Sequence, residues 1–195
     1  MDEGIRFDRE RFKEVVHYAV HYARSRYDAD ALGNTKLHKI LYFTDMLHYL
    51  DTGQPLTGAD YQRQQFGPTA RHLSWGLGAL QQEGRLSVTK RNYHGFPKSD
   101  YRSLVQPDSN RISQEHRQLI EHIVDFVCAR SAVEISEFSH DDVWSSVPMG
   151  ERIPYYAAFA MFPAEITDRD IEDATQEAAR LAPEIEAGER DDRVF

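Results

Sequence analysis

Cysteine is nearly missing from this chain. Cys128 is the only one in 195 residues, which excludes an internal disulfide and a cysteine-rich zinc site. Its neighbours Val124, Phe126 and Val127 point to a buried thiol rather than a reactive one. Long hydrophobic runs are missing too: no apolar stretch approaches the roughly 20 residues that cross a bilayer. The first residues, MDEGIRFDRERF, are charged where a signal peptide would have an apolar centre. A cytoplasmic protein with no membrane partner is expected. There is no low-complexity tract, internal repeat or long linker, and neither a Gly-x-Ser-x-Gly elbow nor a glycine-rich phosphate loop. What is there is an ordinary globular composition, 41% hydrophobic and 28% charged, in a chain long enough to bury one sizeable core.

The formal charge of −9 argues against nonspecific nucleic-acid binding by the whole molecule, but it is unevenly spread. Residues 60–106 carry seven bases (Arg63, Arg71, Arg85, Lys90, Arg91, Lys98, Arg102) against three acids, a local +4; residues 165–195 carry eleven acids against four bases, a local −7. This polarity suits a partner with a mixed or basic face, or is simply a solvated surface.

The longest buried-looking element is NTKLHKILYFTDMLHYLDTG, residues 34–53. Asn34 is placed to cap it and Gly53 to end it in the left-handed conformation. Leu37, Ile40, Leu41, Thr44, Leu47 and His48 recur at helical spacing, and Tyr42, Phe43 and Tyr49 widen the apolar surface enough to predict neighbours on more than one side. Before it, Asp8 caps a helix to about Arg26. After it, Asp60 to Phe66 fits a short edge strand, and Gly67-Pro68 reads as the entry to a helix ending near Glu83. Gly76 and Gly78 in that helix are expected where another backbone comes close, and Trp75 is expected as a core or seam aromatic. Residues 84–106 predict a β-hairpin, Ser113 opens a further helix, Glu134 to Ser139 a short one, and Asp168 to about Ala182 a final acidic helix before a frayed tail.

A helix followed by a basic hairpin is also the outline of a winged helix, so DNA binding is a rival reading. Against it, the helix before the hairpin brings only Arg71, His72 and a few amides toward base edges. The enzyme reading is weaker. Ser139, His140, Asp141 and Asp142 are adjacent, but a triad needs each side chain to reach the next in space. His17 and His21 lie four apart without the glutamate of a metalloprotease motif, and a metal would have to gather distant histidines such as His38, His48, His72 and His140. No enzyme activity, metal or cofactor is expected, and His140 beside Asp141 and Trp144 reads as a fixed polar joint that donates to a carbonyl or carboxylate.

Three elements occur in order: Lys36-Leu37-His38-Lys39-Ile40-Leu41-Tyr42-Phe43, the turn Thr52-Gly53-Gln54-Pro55-Leu56, and the step Gln65-Phe66-Gly67-Pro68. With the later Ser139-His140, Trp144, Gly150 and Ile153, they resemble the Panacea domain, the SocA-like family of antitoxins, over roughly residues 12–160. Phe66 stands where tyrosine is common, and the acidic helix after Thr167 has no counterpart. The resemblance implies a small α-rich antitoxin encoded beside a toxin that it neutralises by direct binding. Many such toxins block translation, and one member acts as an adaptor that presents its toxin to the ClpXP protease. No catalytic residue comes with it.

The fold expected is mostly α with a small β-hairpin (α+β), one globular helical domain with a winged-helix-like element over residues 1–165, and an acidic helix and tail over 166–195. Candidate partner-binding residues are Lys36, Tyr42, Phe66, Arg71, His140, Trp144, Tyr155 and Tyr156, with core placement as the alternative for the aromatics. Gly67 and Pro68 are structural. Lys36, in the first turn of its helix, is ill suited to the dipole and is expected to pair with a carboxylate or reach a partner.

Overall fold

The computed structural model describes residues 4–93, 95–108 and 110–161, together with Glu172, Thr175, Gln176 and Arg180. Two compact units divide the chain, Met1–Met161 and Phe162–Phe195. The acidic helix expected from Asp168 and the tail beyond Pro183 lie outside the described residues, except for those four, which are helical.

Helix α1, Arg9–Arg26, begins where Asp8 accepts a hydrogen bond from the Arg11 amide at 2.9 Å. Its inward stripe, Phe12, Val15, Val16, Ala19, Val20 and Ala23, is buried. Helix α2, Asn34–Thr52, ends as expected at Gly53 in the left-handed region, φ 73°, with the glycine amide donating to the Tyr49 carbonyl. Its start differs from expectation: Gly33 holds the cap position with no side-chain bond, and Asn34 is already helical. The Asn34 side chain is occupied elsewhere, accepting from the Tyr101 hydroxyl at 3.2 Å. α2 is the central rod of the unit, with Leu37, Ile40, Leu41, Tyr42, Phe43 and Met46 all buried. Each large side chain so buried stabilises the fold by roughly 1.5–3 kcal/mol.

Around α2 pack α1, helix α4 (Gln114–Cys128), helix α5 (Ala132–Phe138), strand β2 (Gly67–Ala70), a 3-10 turn (Tyr155–Ala157) and helix α7 (Ala158–Met161). Neighbours on several sides are what the broad apolar surface of this helix predicts. α1 and α4 are joined by phenol–carboxylate bonds: Tyr18 donates to Glu121, and Tyr22 and Tyr27 both donate to Asp125 at 3.1 and 2.8 Å. Half-buried tyrosines thereby keep their hydroxyls paired.

Strand β1, Tyr61–Gln64, pairs antiparallel with β2 on one side and with β5, Arg152–Ile153, on the other. The expected edge strand is therefore the middle one. Pro68 also differs from expectation, since it lies in β2 opposite Arg63 and helix α3, Leu73–Gln82, starts only five residues later. Proline is tolerated there because β2 is an outer strand, where a missing amide costs no ladder bond. In α3, a Cβ at Gly76 would lie 2.8 Å from the Phe12 ring, so the close neighbour is a side chain and not a backbone, while Gly78 faces open space. Trp75 is partly exposed, edge-on to Phe7 and beneath the Arg9 guanidinium.

The hairpin follows as expected, β3 Leu86–Tyr93 with β4 Phe96–Ser103. α4 opens at Ser113, which accepts from the His116 amide, and Ser131 with Glu134 forms a capping box at the start of α5. The short helix α6, Asp142–Ser146, leads to β5, the 3-10 turn and α7. No helix among the described residues is long and apolar enough to cross a membrane.

Candidate functional site: a motif junction around a buried lysine

Lys39 sits in the middle of α2 with 1% of its surface exposed and no carboxylate partner among the described residues. Its Nζ donates to the Pro68 carbonyl at 2.9 Å, and the adjacent His38 accepts at Nδ1 from the Ala70 amide at 3.0 Å. Two consecutive side chains of α2 thus occupy the outer backbone groups of strand β2. An open strand edge is closed this way without a further strand.

From β2 the contacts continue to α5. Gly67, at φ 89°, passes so close that a Cβ there would lie 2.4 Å from both Lys39 Nζ and Ser139 Oγ. Ser139 Oγ donates to the Ser136 carbonyl at 2.8 Å, and Ser136 Oγ donates to the Phe66 carbonyl at 3.0 Å. The Lys39 helix, the Phe66-Gly67-Pro68 step and the Ser139-His140 segment therefore meet at one point. Gly67 and Pro68 fix the passage from a hairpin turn into β2, not from a strand into a helix. Burial lowers the Lys39 amine to about 7, and burial together with the Lys39 charge lowers His38 to about 4.

Beside this junction His140, Trp144 and Arg63 form a stack. The His140 and Trp144 rings lie 4.0 Å apart and 20° from parallel, and the Arg63 guanidinium lies over the Trp144 ring, 4.0 Å from its centroid. Arg63 also donates to the carbonyls of Ser145, at 2.9 Å, and Val147, closing the end of α6, whose start is capped by Asp141 accepting from the Trp144 amide at 2.7 Å. His140 stacks where a donor bond to a carbonyl or carboxylate is expected, and its Nε2 has no hydrogen-bond partner among the described residues. Arg63 was not anticipated from sequence.

A second polar centre lies deeper in α2. Asp45 is fully buried and accepts from the Thr57 amide (2.7 Å), the Thr57 hydroxyl (2.5 Å), Tyr61 (2.8 Å) and Tyr155 (3.1 Å). It ties the turn after Gly53, strand β1 and the 3-10 turn to the central helix. Burial pushes the Asp45 carboxyl up against the opposing effect of these donors, and burial near Asp45 raises both phenols, which stay protonated as donors.

The candidate partner residues separate by position. Tyr42 is enclosed, with its hydroxyl 3.5 Å from Met161 Sδ, and Tyr155 is 1% exposed; both are core residues with no free surface. Lys36 is buried as well and donates to the Cys128 carbonyl at 3.4 Å, not to a carboxylate. Cys128 itself is buried, and its thiol is raised to about 11 by that burial. Arg71 is exposed, His140 and Trp144 are partly covered by their stack, and Phe66 and Tyr156 are 64% and 53% exposed. Lys39, Asp45 and Arg63, absent from the sequence reading of the site, are its chief organisers.

His17 lies 3.0 Å from Ser103 Oγ, but its other nitrogen faces Arg85 at 2.9 Å, and Ser103 gives its proton to the Val105 carbonyl. This histidine, lowered to about 4 by burial and the Arg85 charge, meets a guanidinium and not a carboxylate at its second nitrogen, the reverse of what orients a general base. His21 approaches the same hydroxyl at 3.3 Å. Among the described residues no group of three or more His, Cys, Asp or Glu could hold a metal ion.

His17 and His38 together predict an acid-labile fold. Both are neutral in the folded chain, each lowered from 6.5 to about 4. Between those values the unfolded chain binds more protons, so their full stabilisation above about pH 6.5 is lost as the pH falls toward 4. The loss is on the order of 3 kcal/mol per histidine. Urea midpoints measured at pH 7.5, 6 and 5 should fall in that order, and His38→Gln should flatten the trend.

A mostly helical α+β domain, organised where three separated motifs close on a buried lysine, is the class this geometry defines. The chain belongs to the antitoxin SocA-like family, Panacea domain, whose model matches residues 37–145. That span begins inside α2 and ends inside α6, and so contains the whole junction. No curated protein and no solved structure matches the chain.

Proposed function

We propose that this protein neutralises a toxin by binding it directly and covering its working surface, the toxin being the product of an adjacent gene and an inhibitor of translation. The carrying observation is the presentation of Phe66. Its ring points outward while its own carbonyl is held by Ser136 and the next two residues are held against Lys39 and Ser139. An exposed aromatic on a backbone fixed on both sides loses little freedom on binding, which is how interface anchors gain their affinity. Val133 and Phe138 on α5 are also exposed, as are Tyr156 and Phe159 near the end of the unit.

The DNA-binding alternative draws less support. In the basic hairpin, Arg91 and Lys98 are engaged with Asp30, and Arg85 is held by Glu14 at 2.6 Å. Charges already paired within the fold are poor phosphate contacts.

Co-expression with the adjacent gene in a host lacking ClpXP tests the proposal. Growth should be restored to the same extent as in a protease-containing host. Rescue only where the protease is present would replace binding by protease delivery, and no rescue in either host would remove the antitoxin function altogether.

A further inference from the structure

Beside Phe66 a cavity of about 390 Å³ opens on the surface, lined by Thr35, Phe66, Ala132, Val133, Ser136 and Glu137. Its walls come from the first turn of α2, the tip of the β1–β2 hairpin and the outer face of α5. Two of them, Phe66 and Val133, are large apolar groups left 64% and 66% exposed, and neither is needed to close the core. Size and lining suit a large apolar side chain.

One charged residue stands in its lining, Glu137. Glu134 is exposed one turn earlier on the same short helix. Glu134 accepts from the Ser131 amide at 2.7 Å and feels the charges of Arg130 and the inward-turned Lys36, so the acidity that faces the cavity is that of Glu137. A cavity with an apolar floor and a carboxylate on its wall attracts a basic group and disfavours an acidic one.

We infer that this cavity receives one large apolar side chain from a basic segment of the toxin, with a lysine or arginine beside it facing Glu137. The inference rests on the direct-binding reading above and adds to it where the partner docks and what that part of the partner is made of. The serine contacts explain why the cavity is preformed: Ser136 holds Phe66 from below, and Ser139 packs beneath Gly67, so both walls belong to one rigid assembly.

Binding of full-length variants to the purified toxin, measured by calorimetry at two salt concentrations, is the test. Val133→Asp should weaken binding by about 30-fold or more, as expected for a central anchor site. Glu137→Lys should weaken it by roughly tenfold and reduce its salt dependence. Both positions are exposed, so melting temperatures should stay within about 2 °C of the unaltered chain. Lys90→Glu on the hairpin should change affinity less than twofold, and a charge reversal of the facing toxin residue should restore Glu137→Lys. Binding of the unaltered chain together with less than about threefold loss in both Val133→Asp and Phe66→Ala overturns the docking inference and leaves the antitoxin reading intact. Failure of the unaltered chain to bind overturns both.

Discussion

Gly67→Ala should cost the fold about 3 kcal/mol or more and should weaken toxin binding beyond what the loss of folded protein explains. Two independent penalties act at this position. At φ 89° an alanine strains its own backbone by roughly 1–2 kcal/mol. Its Cβ would also meet Lys39 Nζ and Ser139 Oγ at 2.4 Å, and overpacking of an enclosed site adds about 1–3 kcal/mol. Lys39 cannot simply swing aside, because it is buried and bonded to Pro68. Any shift that relieves the clash moves the turn carrying Phe66. Chemical denaturation of Gly67→Ala, Lys39→Met and the double variant separates these contributions: Met lacks the crowding nitrogen, so the double variant should lose at least 0.5 kcal/mol less than the sum of the singles. Strict additivity would mean that Gly67 matters only for its backbone angle and that the approach to Lys39 is incidental.

Asp45→Ala should be more damaging, by about 4 kcal/mol, because removing this buried acceptor strands the Thr57 amide and hydroxyl and opens a polar void, while the Tyr61 and Tyr155 phenols fall back on the Leu41 and Ala59 carbonyls. The Thr57 amide and hydroxyl and the phenols of Tyr61 and Tyr155 all converge on this one carboxylate. For a chain of this size the melting temperature should fall by roughly 8–16 °C. Asp45→Asn keeps one acceptor oxygen and the side-chain shape, so it should lose clearly less. A drop below about 1 kcal/mol in Asp45→Ala would show that water or a local rearrangement satisfies those donors and that Asp45 does not organise this part of the core.

Much of the frame was legible from local sequence because its causes are local. Asp8 and Ser113 cap their helices, Gly53 ends α2, and the alternation on either side of Gly95 makes the β3–β4 hairpin. The Gly67-Pro68 step reads locally as a helix start because proline serves equally well at a first helical turn and on an outer strand. What decides is its pairing with Arg63 and the lysine waiting beneath it, and neither is a property of the dipeptide. Asn34 failed as a cap for a similar reason, since Tyr101, 67 residues away, claims its side chain.

The site itself was half legible. Phe66, His140 and Trp144 stand out in the sequence, whereas nothing in it singles out Lys39 or Asp45 within α2. A trace existed: both lie within a helix whose apolar residues leave no consistent polar face. Charges in such a helix must either be solvated or find partners inside. The structure takes the second course twice, once to anchor β2 and once to gather Thr57, Tyr61 and Tyr155. Tyr155 and Tyr156 show the limit from the other direction, because one of two adjacent tyrosines in a 3-10 turn is buried and the other exposed, and only the turn decides which.

The buried lysine and the buried carboxylate have one consequence in common, a rigid scaffold that displays Phe66 and the outer face of α5. The most direct measurement is the mass and affinity of the complex between this chain and the product of the adjacent gene, by light scattering on a sizing column and calorimetric titration. The expected result is a complex of fixed stoichiometry with a dissociation constant in about the nanomolar range. A toxic gene product that runs separately from this chain at micromolar concentration, with no heat of binding, would contradict it.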